Sequence, residues 1–278
     1  MLTSRTEVPQ VGVAVRVAPR VEWLLAPNAG AWTFEGTNTW IVGDPSAATC
    51  AVIDPGPDDG RHGEALRATI GDRIVTEVVL THGHDDHAGA LASLVGETGA
   101  AVIAARRPDG APTAHDGDRL TLAGAVAANI VSTPGHTRDS LCVHLPDDRV
   151  VFTGDTVLGA GSPVVHPKLL RSMLDSLRAL ERIGSTNTVS VLPGHGPVLP
   201  DLAAAVKRRI DARLRRIHQV DGLRSQGYSA VPVMVERMYP HLEHPDVVKA
   251  AHSSVQAMLT FLDEEQPEGQ VSEQDRQR

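Results

Sequence analysis

The segment Thr81-His-Gly-His-Asp-Asp-His87 constrains this chain more than any other. Three histidines and two aspartates fall within six residues. The cluster directly follows the apolar run 76–80, so it begins where a strand ends. So many desolvated imidazoles and carboxylates are costly without a cation or partner to satisfy them. Nitrogen and oxygen donors of this kind are the ligands of zinc and, less selectively, of iron or manganese. They belong on loops held at the ends of rigid strands.

The rest of the first two-thirds of the chain supplies such a frame. Short runs at 13–18, 39–42, 51–54, 76–80, 101–104, 129–132, 141–145, 149–152 and 188–192 read as strands. Several are continuously apolar, as expected of strands covered on both faces. Helical periodicity follows the histidine cluster at 90–95 and recurs at Leu169, Leu170, Met173, Leu174, Leu177 and Leu180. Strands with interspersed helices predict an α/β fold of layered sheets under helices. Composition changes near Pro200. Val206, Ile210, Leu214 and Ile217 form one helical stripe, and 231–239 and 247–262 read as two more helices, parted at Pro245. The predicted division is a catalytic domain over 1–200, a helical appendage over 201–266 and a disordered tail over 267–278.

Three more strand ends repeat one design. Ser132-Thr-Pro-Gly-His136, Phe152-Thr-Gly-Asp155 and Leu192-Pro-Gly-His195 each place a glycine before a polar residue, which we read as a turn that aims the side chain outward. Any one of them alone is merely a turn. Together they nominate His136, Asp155 and His195 as partners of the first cluster.

In their order, His82-x-His84-x-Asp86-His87, His136, Asp155 and His195 resemble the metallo-beta-lactamase superfamily, and Val52-Ile-Asp54-Pro-Gly56 resembles its first motif. The resemblance implies a four-layer αββα sandwich with its site at one edge. It implies that His82, His84 and His136 hold one metal, that Asp86, His87 and His195 hold another, and that Asp155 bridges them. The cofactors it implies are two Zn2+ ions, with Fe or Mn as alternatives, activating a bridging hydroxide for hydrolysis. Asp86 would also accept or steer a proton. Asp54 would fix the tautomer of a ligand imidazole.

Departures within the superfamily narrow the reading. Asp155 stands where true zinc beta-lactamases commonly have Cys. Only 39 residues separate Asp155 from His195, too few for the inserted domain of the polyadenylation-type nucleases. His84 stands where flavodiiron proteins have Glu. No counterpart of the basic glutathione clamp of glyoxalase II is evident. The segment Asn28-Ala-Gly-Ala-Trp-Thr-Phe-Glu-Gly36-Thr-Asn-Thr-Trp40, with Thr133-Pro-Gly-His-Thr137, Gly154-Asp-Thr-Val-Leu-Gly159 and Pro193-Gly-His-Gly-Pro197, is similar to the beta-lactamase-like protein 2 group of single-strand endoribonucleases. The C-terminal helices resemble that group's small winged-helix-like appendage. Asp85 stands where the group often has His and adds negative charge at the mouth of the site.

The resemblance therefore favours single-stranded RNA as substrate, with a thioester or lactone as the alternative. The basic run Lys207-Arg-Arg209, Arg213, Arg215-Arg216 would supply phosphate contacts, unless it is the solvated face opposite the apolar stripe. The net charge of −8 excludes a general nucleic-acid coat, which needs a positive field. A mononuclear-iron persulfide dioxygenase is the alternative of another class, and the intact set Asp86, His87 and His195 favours the hydrolase over it. A metal-binding interaction protein without turnover is a third reading. Trp23, Trp32 and Trp40 are expected in strands and core, with stacking on bases as the alternative. Of the remaining histidines only His166, shortly after Asp155, is a candidate for the cleft. Cys50 and Cys142 form no disulfide framework and are expected to be buried and inert. No secretory pattern opens the sequence and no run approaches the ~20 apolar residues of a membrane span, so a cytoplasmic location is expected, as monomer or homodimer.

Overall fold

Alternation along the strands gives each sheet two apolar faces, and the fold follows from covering both. In β3 (Asn38–Val42) Trp40 and Val42 face one side and Ile41 the other. In β4 (Thr49–Ile53) Ala51 and Ile53 oppose Cys50 and Val52. The structure, a computed structural model, describes residues 7–106 and 114–265; the tail expected over 267–278 lies outside them.

With β1 (Val15–Ala18), β2 (Val21–Leu25), β5 (Ile74–Val79) and β6 (Ala101–Ile103), these strands form one sheet in the order β1-β2-β3-β4-β5-β6. A second sheet contains β7 (Arg119–Leu122), β8 (Val126–Ser132), β9 (Leu141–Leu145), β10 (Val150–Gly154) and β11 (Ser190–Pro193), in the order β11-β10-β9-β8-β7. Most neighbours are antiparallel. The pairs β4–β5, β5–β6 and β10–β11 are parallel, and these crossovers carry α1 (Gly60–Ile70), α2 (Asp85–Ala88), α3 (Leu91–Thr98) and α4 (Leu170–Thr186).

Three apolar clusters mark three interfaces. Trp23, Trp40, Ile53 and Val79 meet Ile130, Val143 and Phe152 between the sheets. The rings of Trp23 and Trp40 stack at 5.4 Å, and Trp40 meets Phe152 edge-on at 5.7 Å, which ties one sheet to the other. Ile41, Val52 and Val78 lie under Leu66 of α1 and Leu94 of α3. Cys142, Val151 and Val191 lie under Met173 and Leu177 of α4. Two sheets thus sit face to face between two helical layers, the αββα sandwich.

The C-terminal helices α5 (Leu202–Ser225), α6 (Val231–Met238) and α7 (Pro245–Glu265) close over α4, and Val206, Met234, Val255 and Met258 join the same cluster. Asp201 caps α5 by accepting from the Ala204 amide. Pro245 opens α7, where a missing N–H costs nothing. Among the described residues no strand follows β11, and no helix is long and apolar enough to cross a membrane. Two strands, β2 and β7, and the helices α1 and α2 were not among those expected from the sequence.

Candidate metal centre

Strand ends converge at one edge of the sandwich. Asp54 directly follows β4. Thr81 and His82 follow β5, His84 caps α2, and Asp86 and His87 lie within it. His136, Asp155 and His195 follow β8, β10 and β11. All eight residues singled out from the sequence as metal-ligating or catalytic come together here, while Asp85 is exposed.

The donor atoms form two groups. His82 Nε2 and His136 Nε2 each lie 3.0 Å from His84 Nδ1. On the other side His195 Nε2 lies 3.2 Å from His87 Nε2 and 3.1 Å from Asp86 Oδ2. Asp155 sits between them. Its Oδ2 is 3.5 Å from His136 Nε2, and its Oδ1 is 3.5 Å from His87 Nε2 and 3.6 Å from His195 Nε2.

The outer nitrogens settle which atoms carry lone pairs. His87 Nδ1 lies 2.9 Å from Asp54 Oδ2, His136 Nδ1 2.9 Å from the Val164 carbonyl, and His195 Nδ1 3.2 Å from the Gly36 carbonyl. Each of these acceptors can take a proton from Nδ1, which in the neutral imidazole leaves Nε2 facing inward as a lone pair. Thr81 Oγ1 donates to Asp54 Oδ2 at 2.7 Å and can therefore accept from His82 Nδ1 at 3.2 Å. Asp54, which also accepts from the Thr81 amide at 2.8 Å, thus orients His87 directly and His82 through Thr81. Its φ of 50° is a left-handed conformation held by these bonds.

Such an arrangement fits divalent cations. Inward lone pairs repel unless something positive lies among them, and Asp155 Oδ1 is buried with no hydrogen-bond partner. The titration of the groups expresses the same crowding. Burial and four neighbouring imidazoles hold His82 well below its ordinary value, and burial and His136 depress His84. Burial opposes the charged form of Asp86, but its bond to His195 and the nearby imidazoles outweigh that and lower it. Burial likewise opposes a charged His87, yet Asp54, Asp155 and Asp86 push it up to about 9. A cation supplies the positive charge that these carboxylates otherwise draw onto His87.

The three glycines that precede His136, Asp155 and His195 do not all play the turn role expected of them. Only Gly154 has a positive φ, 45°. Gly194 is required by crowding instead. A Cβ there would stand 2.5 Å from Asp155 Oδ1 and 2.6 Å from His87 Cε1.

A cavity of about 720 Å³ opens over the centre. His84, Asp86, His136, Asp155 and His195 reach it, Trp32 and Phe34 wall one side, and Val164, Val165 and His166 the other. Trp32 is therefore corrected from the expected core position: it is 45% exposed at the cavity, whereas Trp23 and Trp40 are buried as expected. His166 does reach the cleft. Asn38 was not foreseen. It accepts from Trp23 Nε1 at 2.7 Å and donates to the carbonyls of Pro193 and Gly196 at 2.8 and 2.9 Å, holding the loop that carries His195.

Most of the basic run is engaged within the protein. Arg209 donates to the Leu158 carbonyl, and Arg213 to Ser162 Oγ and the Pro163 carbonyl at 3.2 and 3.1 Å. Arg216 lies 4.7 Å above the Tyr239 ring and Lys207 pairs with Asp211. Lys207, Arg208 and Arg215 are the exposed members.

Residues 32–195 match the family described as the metallo-beta-lactamase superfamily. The chain belongs to the metallo-beta-lactamase superfamily. Among curated members it is 34% identical over 221 residues to an atrochrysone carboxyl ACP thioesterase of Aspergillus fumigatus, covering 77% of this chain and 67% of that protein. It is 28% identical over 217 residues to the beta-lactamase-like protein 2 homolog of Caenorhabditis elegans, covering 74% and 71%. The chain spans about two thirds of the length of the Aspergillus thioesterases it matches. A beta-lactamase domain protein from Burkholderia ambifaria superposes with a TM-score of 0.79 over 93% of this chain and 90% of its own, at 21% identity, which shows the shared superfamily fold.

Proposed function

We propose that this superfamily member is a dinuclear zinc hydrolase of thioesters. His82, His84 and His136 would hold one ion and Asp86, His87 and His195 the other, with Asp155 facing both sets. When bound, such ions polarise a carbonyl and bring water into its nucleophilic form near neutral pH. Asp86 is the proton-accepting group: it lies in the cavity, and only one of its oxygens faces His195. Asp54 and Thr81 keep His82 and His87 oriented. Trp32, Phe34, Val164 and Val165 seat the acyl group and keep bulk water from it.

The apolar cavity is the observation that carries the thioester reading. A thiolate, with a thiol pKa of about 8.5, departs without a strong acid, and the walls beyond the metal ligands offer only His166 as a titrating side chain. The thioesterases among its relatives support the same choice. Single-stranded RNA, the substrate the resemblance favours, has less to bind: half of the six basic residues of 207–216 are turned inward, and the net charge is −8. We place the appendage from 201 onward with the catalytic domain as one working unit, since Val247 and Ser253 of α7 reach the cavity. The buried free thiols Cys50 and Cys142, pushed up by burial to about 11 and about 12, suit a reducing compartment such as the cytoplasm.

Assays of the zinc-loaded protein on an acyl thioester and on single-stranded RNA, at low and moderate salt, test this. Thioester hydrolysis indifferent to salt is expected. RNA cleavage that weakens with salt, without thioester turnover, would overturn the substrate class and leave the metal centre standing.

A further inference from the structure

Beside this cavity lies a second chamber of about 330 Å³, and Trp32, Ser162, Pro163, Val164 and Val247 line both. Its wall includes Arg213, Arg216 and Tyr239, and no carboxylate lines it. Arg209, Arg213 and Arg216 recur at helical spacing on α5, so they share a face, and that face meets the loop 158–163.

Their partners are neutral: carbonyls of Leu158 and Pro163, the Ser162 hydroxyl, the Gln219 amide and the Tyr239 ring. Among the described residues none of the three is in an ion pair, and Arg209 Nε is buried without a partner. Other arginines of this acidic chain do find carboxylates, such as Arg171 with Glu265 and Arg224 with Asp263, both at 2.7 Å. Carbonyls satisfy N–H donors but do not balance charge, and a row of guanidinium groups facing no carboxylate is stabilised by an anion.

We propose that this chamber binds an anionic group carried by the substrate itself, so that the enzyme selects thioesters bearing a carboxylate or phosphate some distance from the sulfur. The inference rests on the thioester reading for the identity of the ligand, not for the chamber. The anion has two possible sources: a carboxylate at the far end of the acyl group, or the phosphate of a phosphopantetheine arm. Both present the paired oxygens that guanidinium forks bind.

Two substrate pairs separate the sources. Adipoyl against hexanoyl N-acetylcysteamine varies the acyl end. Hexanoyl 4′-phosphopantetheine against hexanoyl pantetheine varies the thiol arm. In one pair the anionic member should show a KM about tenfold lower, the scale of one charge-assisted hydrogen bond. Arg216→Gln should erase that preference, Arg216→Lys should keep part of it, and Arg208→Gln, outside the chamber, should keep all of it. A second readout needs no turnover: adipate and 4′-phosphopantetheine are titrated into metal-free protein, following Trp32 fluorescence, with Trp32→Phe assigning the signal. Equal KM values within both pairs, or a preference that survives Arg216→Gln, would overturn the proposal. If none of the four thioesters is hydrolysed, the thioester reading fails, and saturable quenching lost in Arg216→Gln still decides for the chamber.

Discussion

Asp86 is asked to hold a metal and to accept a proton, and it contributes little to packing at a partly open position. Asp86→Ala is expected to lower turnover by 10²-fold or more while the melting temperature of the metal-free protein stays near that of the parent. Turnover above about a tenth of the parent's would remove it from the chemistry. Asp54 acts at one remove, through His87 and Thr81. Asp54→Asn should weaken zinc binding about 10- to 100-fold in a competitive chelator titration, and an unchanged affinity would contradict the orienting role. His62 has a pH signature. It is buried against Thr39 Oγ1 at 2.9 Å, and burial holds its imidazole below the ordinary value. The folded chain therefore resists the proton that the unfolded chain accepts, so stability is full above pH ~6.5 and falls as acid titrates the unfolded form. The difference in denaturation midpoint between parent and His62→Gln should shrink from pH 7.5 to 5.5, and a constant difference would contradict this. At this scale the sequence was most readable, because the candidate metal ligands are polar residues in places where packing does not explain them. Asn38 was not readable, since a buried Asn inside a strand announces no partner 155 residues away. Trp32 was misplaced because an aromatic residue on a cavity wall and one in a core look alike in sequence.

At the scale of elements, strands were legible wherever β-branched runs ended at a glycine or a ligand. Strand β2 was hidden because it pairs back on β1 through the two-residue turn Pro19-Arg20, so one run of sequence holds both strands. Strand β7 lies at a sheet edge, and its polar Arg119 and Thr121 blur the pattern. Helix α1 carries Gly60 and Gly63, poor helix formers, and depends on its Asp59 cap and on Leu66 and Ile70 against the sheet. The loop carrying His195 depends on strand β3 through Asn38. Asn38→Leu leaves the Pro193 and Gly196 carbonyls and the Trp23 indole without their buried partner. It should destabilise the fold by about 2 kcal/mol or more in denaturant titration. It should also weaken the ion held by His195 more than the ion held by His84. Equal loss at both, read by stepwise metal titration, would show that the loop does not position His195 separately.

For the whole molecule, the metal centre is a seam. Asp54, His82 and His87 come from the side of the first sheet, and His136, Asp155 and His195 from the second, so ions bound between them join the two halves. No periodicity in the sequence could show that the strand ends of two sheets would meet at one edge. That convergence came from the resemblance, as did the division of donors into two sets. A ligand that binds only the folded state raises stability, by about 4 kcal/mol at a free concentration 1,000 times its dissociation constant. We propose that the seam holds two ions in two distinct sets, with Asp155 between them. This is tested most directly by elemental metal analysis of protein purified without added metal and then saturated with zinc, in the parent and in His195→Ala. Two zinc ions per chain are expected in the parent, and one of them is lost in the variant. A single ion per chain at saturation, or a variant that retains both, would contradict it.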